Sequence, residues 1–359
     1  MPPYSKLFGA LKRVWPALKW GLFLLVLVFV AWHGWKLWSG FDQVAAPLHW
    51  RWLVLAVIVS QIAWIPSMWY WRELMAALGA PAPWSQVNRA YFCGTLGKYV
   101  PGKGVAIVIR SALLRDCGVS STTAALTVVV ETLTYVWVGT LLALLLYPAV
   151  GPHLPRWIDA WAGDPTLRWG LMAAVVCGGL FAFAAMMRSH GSLANMFRRR
   201  PEPPGATILN GTGPDPQLQT AEELKPPQAA DPLKNSATRP PLAVALAGVL
   251  VFVASWWMQG LTLGLTIHSV SAAPWDWSDW PFWTGTVAVA LVGGFIAVFA
   301  PGGLGVREGL LMELLERQLG PREAVVVALL LRGVSLAGEI LAAVTLYYGV
   351  AGTAKRENR

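Results

Sequence analysis

Charge is scarce in this chain. Only 13% of its 359 residues are Asp, Glu, Lys or Arg, while 55% are hydrophobic. A soluble domain of this length needs more charge to cover its surface, so a water-soluble enzyme or carrier is excluded. Cysteine is equally sparse. Cys93, Cys117 and Cys177 are scattered and odd in number, which leaves no disulfide framework and no metal-ligand spacing, and the five His are as dispersed. Ten-residue alternating segments are missing, which excludes an outer-membrane barrel. Acidic residues fall short of basic ones by 19 to 28. The surplus does not point to nucleic acid, because most Lys and Arg lie between apolar runs, where membrane proteins collect positive charge on the cytoplasmic side. A nucleotide loop is also lacking. Gly97-Lys98-Tyr99-Val100-Pro101-Gly102-Lys103-Gly104 comes close to one, but Gly104 stands where a Ser or Thr must reach magnesium, and no strand precedes it. No cofactor is therefore expected, and active transport would need an ion or substrate gradient.

What is present is a series of apolar runs near the length of about 20 residues that a helix needs to cross a bilayer. They are Leu18–Trp38, Trp52–Tyr70, Ala124–Tyr147, Trp169–Met187, Leu242–Ile267, Phe282–Ala300 and Ala324–Tyr348. The first is too long for a cleavable signal and is followed by Trp rather than small residues. Many of the 21 Trp sit near the ends of runs, as expected of an interfacial belt.

Residues 198–241 break the pattern with an Arg triplet followed by Pro-rich polar sequence, the composition of a disordered linker. The linker separates two related halves. Tyr99-Val100-Pro101-Gly102-Lys103-Gly104-Val105 in the first matches Phe299-Ala300-Pro301-Gly302-Gly303-Leu304-Gly305-Val306 in the second. Pro-Gly interrupts a helix in both. An offset of 201 residues, taken from the numbering, puts Val105 on Val306, Leu113 and Leu114 on Leu314 and Leu315, and Glu131 on Arg332. Each short helix after the break ends near a Gly, at Gly118 and Gly320, and a long apolar helix follows. The expected fold is all-α and polytopic, with inverted repeats of three transmembrane helices plus one broken re-entrant hairpin each. Residues 1–197 hold the first repeat, 198–241 the linker and 242–359 the remainder of the second repeat, whose first helix is 169–187. Phe282–Ala300 is then a hairpin arm, despite its length.

Positive charge orients this arrangement. Lys6, Lys12, Arg13 and Lys19, the loop Arg72–Arg115, the linker and the tail Lys355/Arg356/Arg359 fall on the cytoplasmic side, and the acidic, Trp-rich loop 275–280 faces outward. Glu131 and Arg332 then lie roughly 15 Å into their helices, near the bilayer centre. A charge there costs about 2.5–3.5 kcal/mol on insertion scales, so the two are expected to face each other across the pseudo-twofold axis. That places them at or beside a transport site, or else in an ion pair that only locks the halves together. Broken helices expose backbone groups suited to anionic head groups. Lys98, Lys103, Arg110 and Arg115 add positive charge at the first hairpin, and Arg307 with Glu308 follows the second break. Lys98, Lys103 and Arg115 could instead snorkel to cytoplasmic head groups. Glu339 could carry a coupling proton or pair with Arg332. Gly260 and Gly264 form a small-residue pair suited to helix packing.

Leu96-Gly97-Lys98-Tyr99-Val100-Pro101-Gly102-Lys103 with Arg110, Gly118 and Glu131, and Pro301-Gly302-Gly303-Leu304-Gly305-Val306-Arg307-Glu308 with Arg332, resemble the flippase-like family named for the lysylphosphatidylglycerol synthase transmembrane region. The resemblance covers nearly the whole membrane part. It implies movement of a phospholipid or lipid-linked intermediate between leaflets of the bacterial inner membrane. The substrate-binding residues would be Lys98, Lys103, Arg110, Glu131, Arg307, Glu308 and Arg332, with hairpin breaks at Pro101, Gly102, Pro301, Gly302 and Gly303. The best-known relatives move aminoacylated phosphatidylglycerol made by an attached soluble synthase domain. The sequence stops soon after its last apolar run, so no such domain is expected. The basic first hairpin suits an anionic head group better than a cationic lipid. A membrane enzyme acting on lipid-linked sugars is the first alternative, but its only close outer acidic pair, Asp276 and Asp279, lies within the Trp belt. A scaffold recruiting a biosynthetic enzyme through the linker is the second.

Overall fold

The computed structural model describes residues 48–99, 104–154, 163–179, 181, 241–271, 274–297, 303 and 305–357. Among them every regular element is helical and no strand occurs. The run Leu18–Trp38, nearly all of the linker, and Pro101, Gly102, Lys103, Pro301 and Gly302 lie outside the described residues.

Four helical stretches are long and apolar enough to cross a membrane: Trp50–Ala77, Ser121–Leu145, Ala243–His268 and Pro321–Gly349. Their large exposed side chains are apolar, among them Ile58, Leu133, Leu250 and Leu341. In water this surface would be a liability, and in a bilayer it is the solvent-facing side.

Trp50–Ala77 is not one helix. It divides into α1 (Trp50–Ile62) and α2 (Ile65–Ala77). Pro66 lacks the N–H that would continue the ladder, which is why the helix restarts here. The Ala63 carbonyl left at the joint accepts a 2.5 Å hydrogen bond from the fully buried Ser255 hydroxyl. Next come α3 (Trp84–Thr95), a 3-10 turn over Leu96–Tyr99, α4 (Val105–Leu113) and α5 (Ser121–Leu145). Ser120 caps α5 by accepting from the Thr123 amide. After a one-turn helix at Tyr147–Val150, residues 165–179 are helical and mostly exposed. Then follow α6 (Pro241–His268), α7 (Trp280–Ile296), α8 (Val306–Leu319) and α9 (Pro321–Glu357). The helix α6 starts on Pro241, the residue assigned above to the end of the linker.

The order helix, helix–break–helix, helix thus occurs twice. In each half the two arms at the break pack against each other, α3 on α4 and α7 on α8. Val105 and Val306, matched by the 201-residue offset, are the first residues of α4 and α8. The halves exchange partners: α5 packs on α7, the first arm of the other hairpin, and α9 packs on α3. Gly260 and Gly264 do serve helix packing, seating Thr284 and Trp283 of α7.

Trp usage departs in part from the expected belt. Trp71, Trp256 and Trp283 are buried in the core, whereas Trp52, Trp275, Trp277 and Trp280 cluster at one end and Trp50, Trp84 and Trp169 are exposed near helix starts. In that end loop Asp276 accepts from the Ser278 amide, which holds its carboxyl below the usual range, while burial pushes Asp279 up.

Candidate functional site

Two groups of charged side chains occupy the interior, one at each hairpin. The first is built on α4 and α5. Arg110 reaches Glu131 at 2.9 Å, and Tyr91 of α3 donates to the other carboxylate oxygen at 3.0 Å. The guanidinium lies over the Tyr91 ring at 4.0 Å and the Trp71 ring at 5.0 Å. Trp71 is itself fixed by a 3.0 Å hydrogen bond to Thr127. Gly94 on the facing arm makes this possible, because any side chain there would occupy the space of the Arg110 stem. Arg110 and Glu131 are 5% and 4% exposed. Both charges are matched, so this group is closed in charge, with the Arg110 Nε the one atom of the pair left buried without a hydrogen bond among the described residues.

The second group gathers residues from three elements. Lys98 and Tyr99 come from the 3-10 turn at the first break, Arg307 and Glu308 from the start of α8 at the second break, and Arg332 and Glu339 from α9. Lys98 and Tyr99 are each within electrostatic range of Glu339, Arg307 and Arg332, and Arg307 also of Glu308. Lys98 contacts Glu339 at 2.5 Å, and Arg332 lies 3.5 Å from Glu308 and 4.9 Å from the Tyr99 ring centre. Glu308 also accepts from the Gly305 amide at 2.8 Å, closing the first turn of α8. Gly305 has φ +83° and Gly303 φ +70°, a left-handed path that a side chain would oppose. Gly294 of α7 lies against Gly303 and the Arg307 stem, the counterpart of Gly94 against Arg110.

This second group is open. Arg307 is 8% exposed and makes no ion pair or hydrogen bond among the described residues. One Arg332 nitrogen, one oxygen each of Glu308 and Glu339, and the Tyr99 hydroxyl are buried without well-formed hydrogen bonds among the described residues. Three cations face two carboxylates, and the N-termini of α4 and α8 begin at the same breaks. Partial positive charge at those termini adds to the surplus.

The expected contact between Glu131 and Arg332 is corrected by this arrangement. Each pairs within its own half, Glu131 with Arg110 and Arg332 with Glu308. The second helix after each break carries an acid in one half and a base in the other, and each finds its complement one helix earlier. Glu339, for which pairing with Arg332 is one of two alternatives, contacts Lys98 instead. Arg115 is exposed at the end of the first hairpin, consistent with a surface role. Gly303 takes the left-handed turn expected of a break, and the other break residues and Lys103 lie outside the described residues.

Several site residues escaped sequence reasoning. Trp64, at the joint between α1 and α2, lies 5.5 Å from the Lys98 ammonium and 5.6 Å from the Tyr135 ring. Tyr135 is one turn beyond Glu131 and lies within electrostatic range of both Glu131 and Arg307. Gln61 packs against Gly338, beside Glu339, with its side-chain oxygen buried and unpartnered. The signal was present: Ser60-Gln61 and Pro66 interrupt an otherwise apolar run.

The family model of the lysylphosphatidylglycerol synthase TM region matches residues 18–343, which include both hairpins and both charged groups. The chain belongs to this family. No curated protein matches it significantly. Membership of the lysylphosphatidylglycerol synthase transmembrane-region family, together with the four apolar helices, makes it a multi-pass membrane protein of a class with lipid-related functions.

Proposed function

We propose that this protein moves a phospholipid or lipid-linked intermediate with an anionic head group across the bacterial inner membrane, without catalysing covalent chemistry. The observation that carries the reading is Arg307: an arginine buried at a helix break, in no direct ion pair or hydrogen bond among the described residues, and sharing the carboxylates Glu308 and Glu339 with Lys98 and Arg332. A buried guanidinium without a partner costs several kcal/mol, a cost a structural residue has no reason to bear and a phosphate ligand would remove. Arginine matches phosphate oxygens with two parallel donors. The head group is held by Arg307, Lys98 and Arg332, while Arg110 and Glu131 fix the first hairpin against α5.

The two halves form inverted repeats with re-entrant hairpins and cytoplasmic termini. Helix lengths support this. The arms α3, α4, α7 and α8 have 12, 9, 17 and 14 residues. At 1.5 Å per residue these rise about 18, 13, 25 and 21 Å, all short of the roughly 30 Å hydrocarbon core. Breaks entering from opposite sides then meet near mid-depth, where transporters place their substrate sites. The exchange of packing partners between halves supports a twofold relation.

The test is lipid movement by purified protein in liposomes, with fluorescent phosphatidylglycerol, polyprenyl phosphate and phosphatidylcholine compared. Faster movement of either anionic lipid is expected. Equal rates for all three, or none above protein-free vesicles under an imposed proton gradient, would overturn the proposal.

A further inference from the structure

Glu339 has no task in the head-group site just proposed, yet it is 1% exposed at the centre of it. One carboxylate oxygen touches Lys98 at 2.5 Å; the other is buried with no well-formed hydrogen bond among the described residues, the Tyr99 hydroxyl being near enough to act on the carboxylate but outside hydrogen-bond geometry. A carboxylate built for stability has both oxygens satisfied. Glu131 shows that pattern in the same protein, with Tyr91 on one oxygen and Arg110 on the other. Glu339 lacks a second well-formed contact of that kind.

Lys98 is an unusual partner for a permanent ion pair. It sits on a 3-10 turn at the break rather than inside a helix, and its side chain is one-third exposed. The Trp64 and Tyr99 rings lie 5.5 and 5.2 Å from its ammonium. Aromatic faces stabilise an ammonium whether or not an anion touches it. Lys98 is therefore equipped to change partners.

Charge bookkeeping gives the exchange a purpose. Lys98, Arg307 and Arg332 face Glu308 and Glu339, and Glu308 is committed to Arg332 and the start of α8. Without Glu339 the unloaded site would hold three cations against one carboxylate. Each unmatched buried charge costs several kcal/mol, and that cost is greatest when the site is closed to water on both sides.

We infer that Glu339 is a resident surrogate for the anionic head group. It neutralises Lys98 while the site is unloaded and yields Lys98 to the lipid phosphate when the lipid arrives. The inference rests on the lipid movement proposed above and adds how the unloaded protein makes its return. The same contact makes Glu339 a competitor of the substrate, so that removing its charge tightens binding and hinders the unloaded return.

Two measurements with E339Q test this. In phosphatidylcholine vesicles, fluorescent phosphatidylglycerol is placed in one leaflet. Unlabelled phosphatidylglycerol is either absent, so each cycle returns unloaded, or present in both leaflets, so the protein exchanges. E339Q is expected to lose about tenfold more of net movement than of exchange, and to bind glycerol phosphate in detergent about tenfold more tightly than the wild type. An equal loss in both vesicle assays, or unchanged or weaker glycerol phosphate binding, would overturn the surrogate role. The double variant K98Q/E339Q removes cation and surrogate together and is expected to restore the wild-type ratio of net movement to exchange; a ratio that stays low also contradicts the inference, and this variant decides it if E339Q does not fold. Wild-type protein that moves no lipid at all sinks the transport function, while the binding comparison still decides what Glu339 does.

Discussion

The two interior charge groups are built from similar parts and finished differently. Each hairpin brings one arginine past a glycine on the facing arm, Arg110 past Gly94 and Arg307 past Gly294. Each is followed by a long helix with a charge about ten residues in, Glu131 or Arg332. At the first hairpin the arginine, the acid and the tyrosine close on one another. At the second, the arginine next to the break is left over, and the pair beside it stands at 3.5 Å. Matched charge holds a structure together, and unmatched charge at a helix break invites a ligand. On the proposed reading the first charge group is the anchor and the second is the site.

This contrast predicts opposite responses to similar substitutions. The largest effect is expected from E131Q, which strands Arg110 in the interior. Breaking one side of a buried pair costs about 3–5 kcal/mol, read as a lowered unfolding temperature in detergent, and R110M/E131M should recover most of it. If E131Q unfolds no earlier than wild type, the first group is not an anchor. Next is G97A. A Cβ there would stand 2.6 Å from the Ala106 backbone amide across the hairpin, with no flexible side chain to yield. Overpacking of this kind costs about 1–3 kcal/mol, and G104A, whose added methyl meets open space, is the control. Y91F removes one hydrogen bond to Glu131 and should cost about 1–2 kcal/mol, whereas Y99F, whose hydroxyl makes no well-formed hydrogen bond among the described residues, should cost less. A similar loss from both would erase the distinction between closed and open groups. The smallest effect, and the only one of opposite sign, is R307Q. Removing an unmatched buried charge should leave stability unchanged or raise it by about 1 kcal/mol.

Much of this architecture was legible in the sequence because it rests on backbone chemistry. Pro-Gly breaks, positive-φ glycines at Gly118, Gly303 and Gly320, and the 201-residue offset all follow from what a helix tolerates, and the offset found the first residues of α4 and α8. The partners of the charges were not legible. Depth along a helix can be read from residue number, but the facing side chain depends on rotation and on packing between halves. Glu131 and Arg332 therefore looked like each other's complement when each had one in its own half. The aromatic participants were missed for another reason. Trp and Tyr in a membrane protein suggest the interface, and nothing in composition separates a belt residue from Trp71 or Trp64 folded over a cation.

The central claim is that the open group binds the lipid head group and the closed group does not. The most direct measurement is the rate of phosphatidylglycerol movement in liposomes by wild type, R307Q and R110M/E131M, each normalised to folded protein recovered from the vesicles. A lost charge-assisted contact is worth about 1.5–3 kcal/mol, so R307Q should move the lipid about 10- to 100-fold more slowly while R110M/E131M stays near the wild-type rate. Full movement by R307Q, with loss in R110M/E131M, would place the site at the other hairpin and contradict the account.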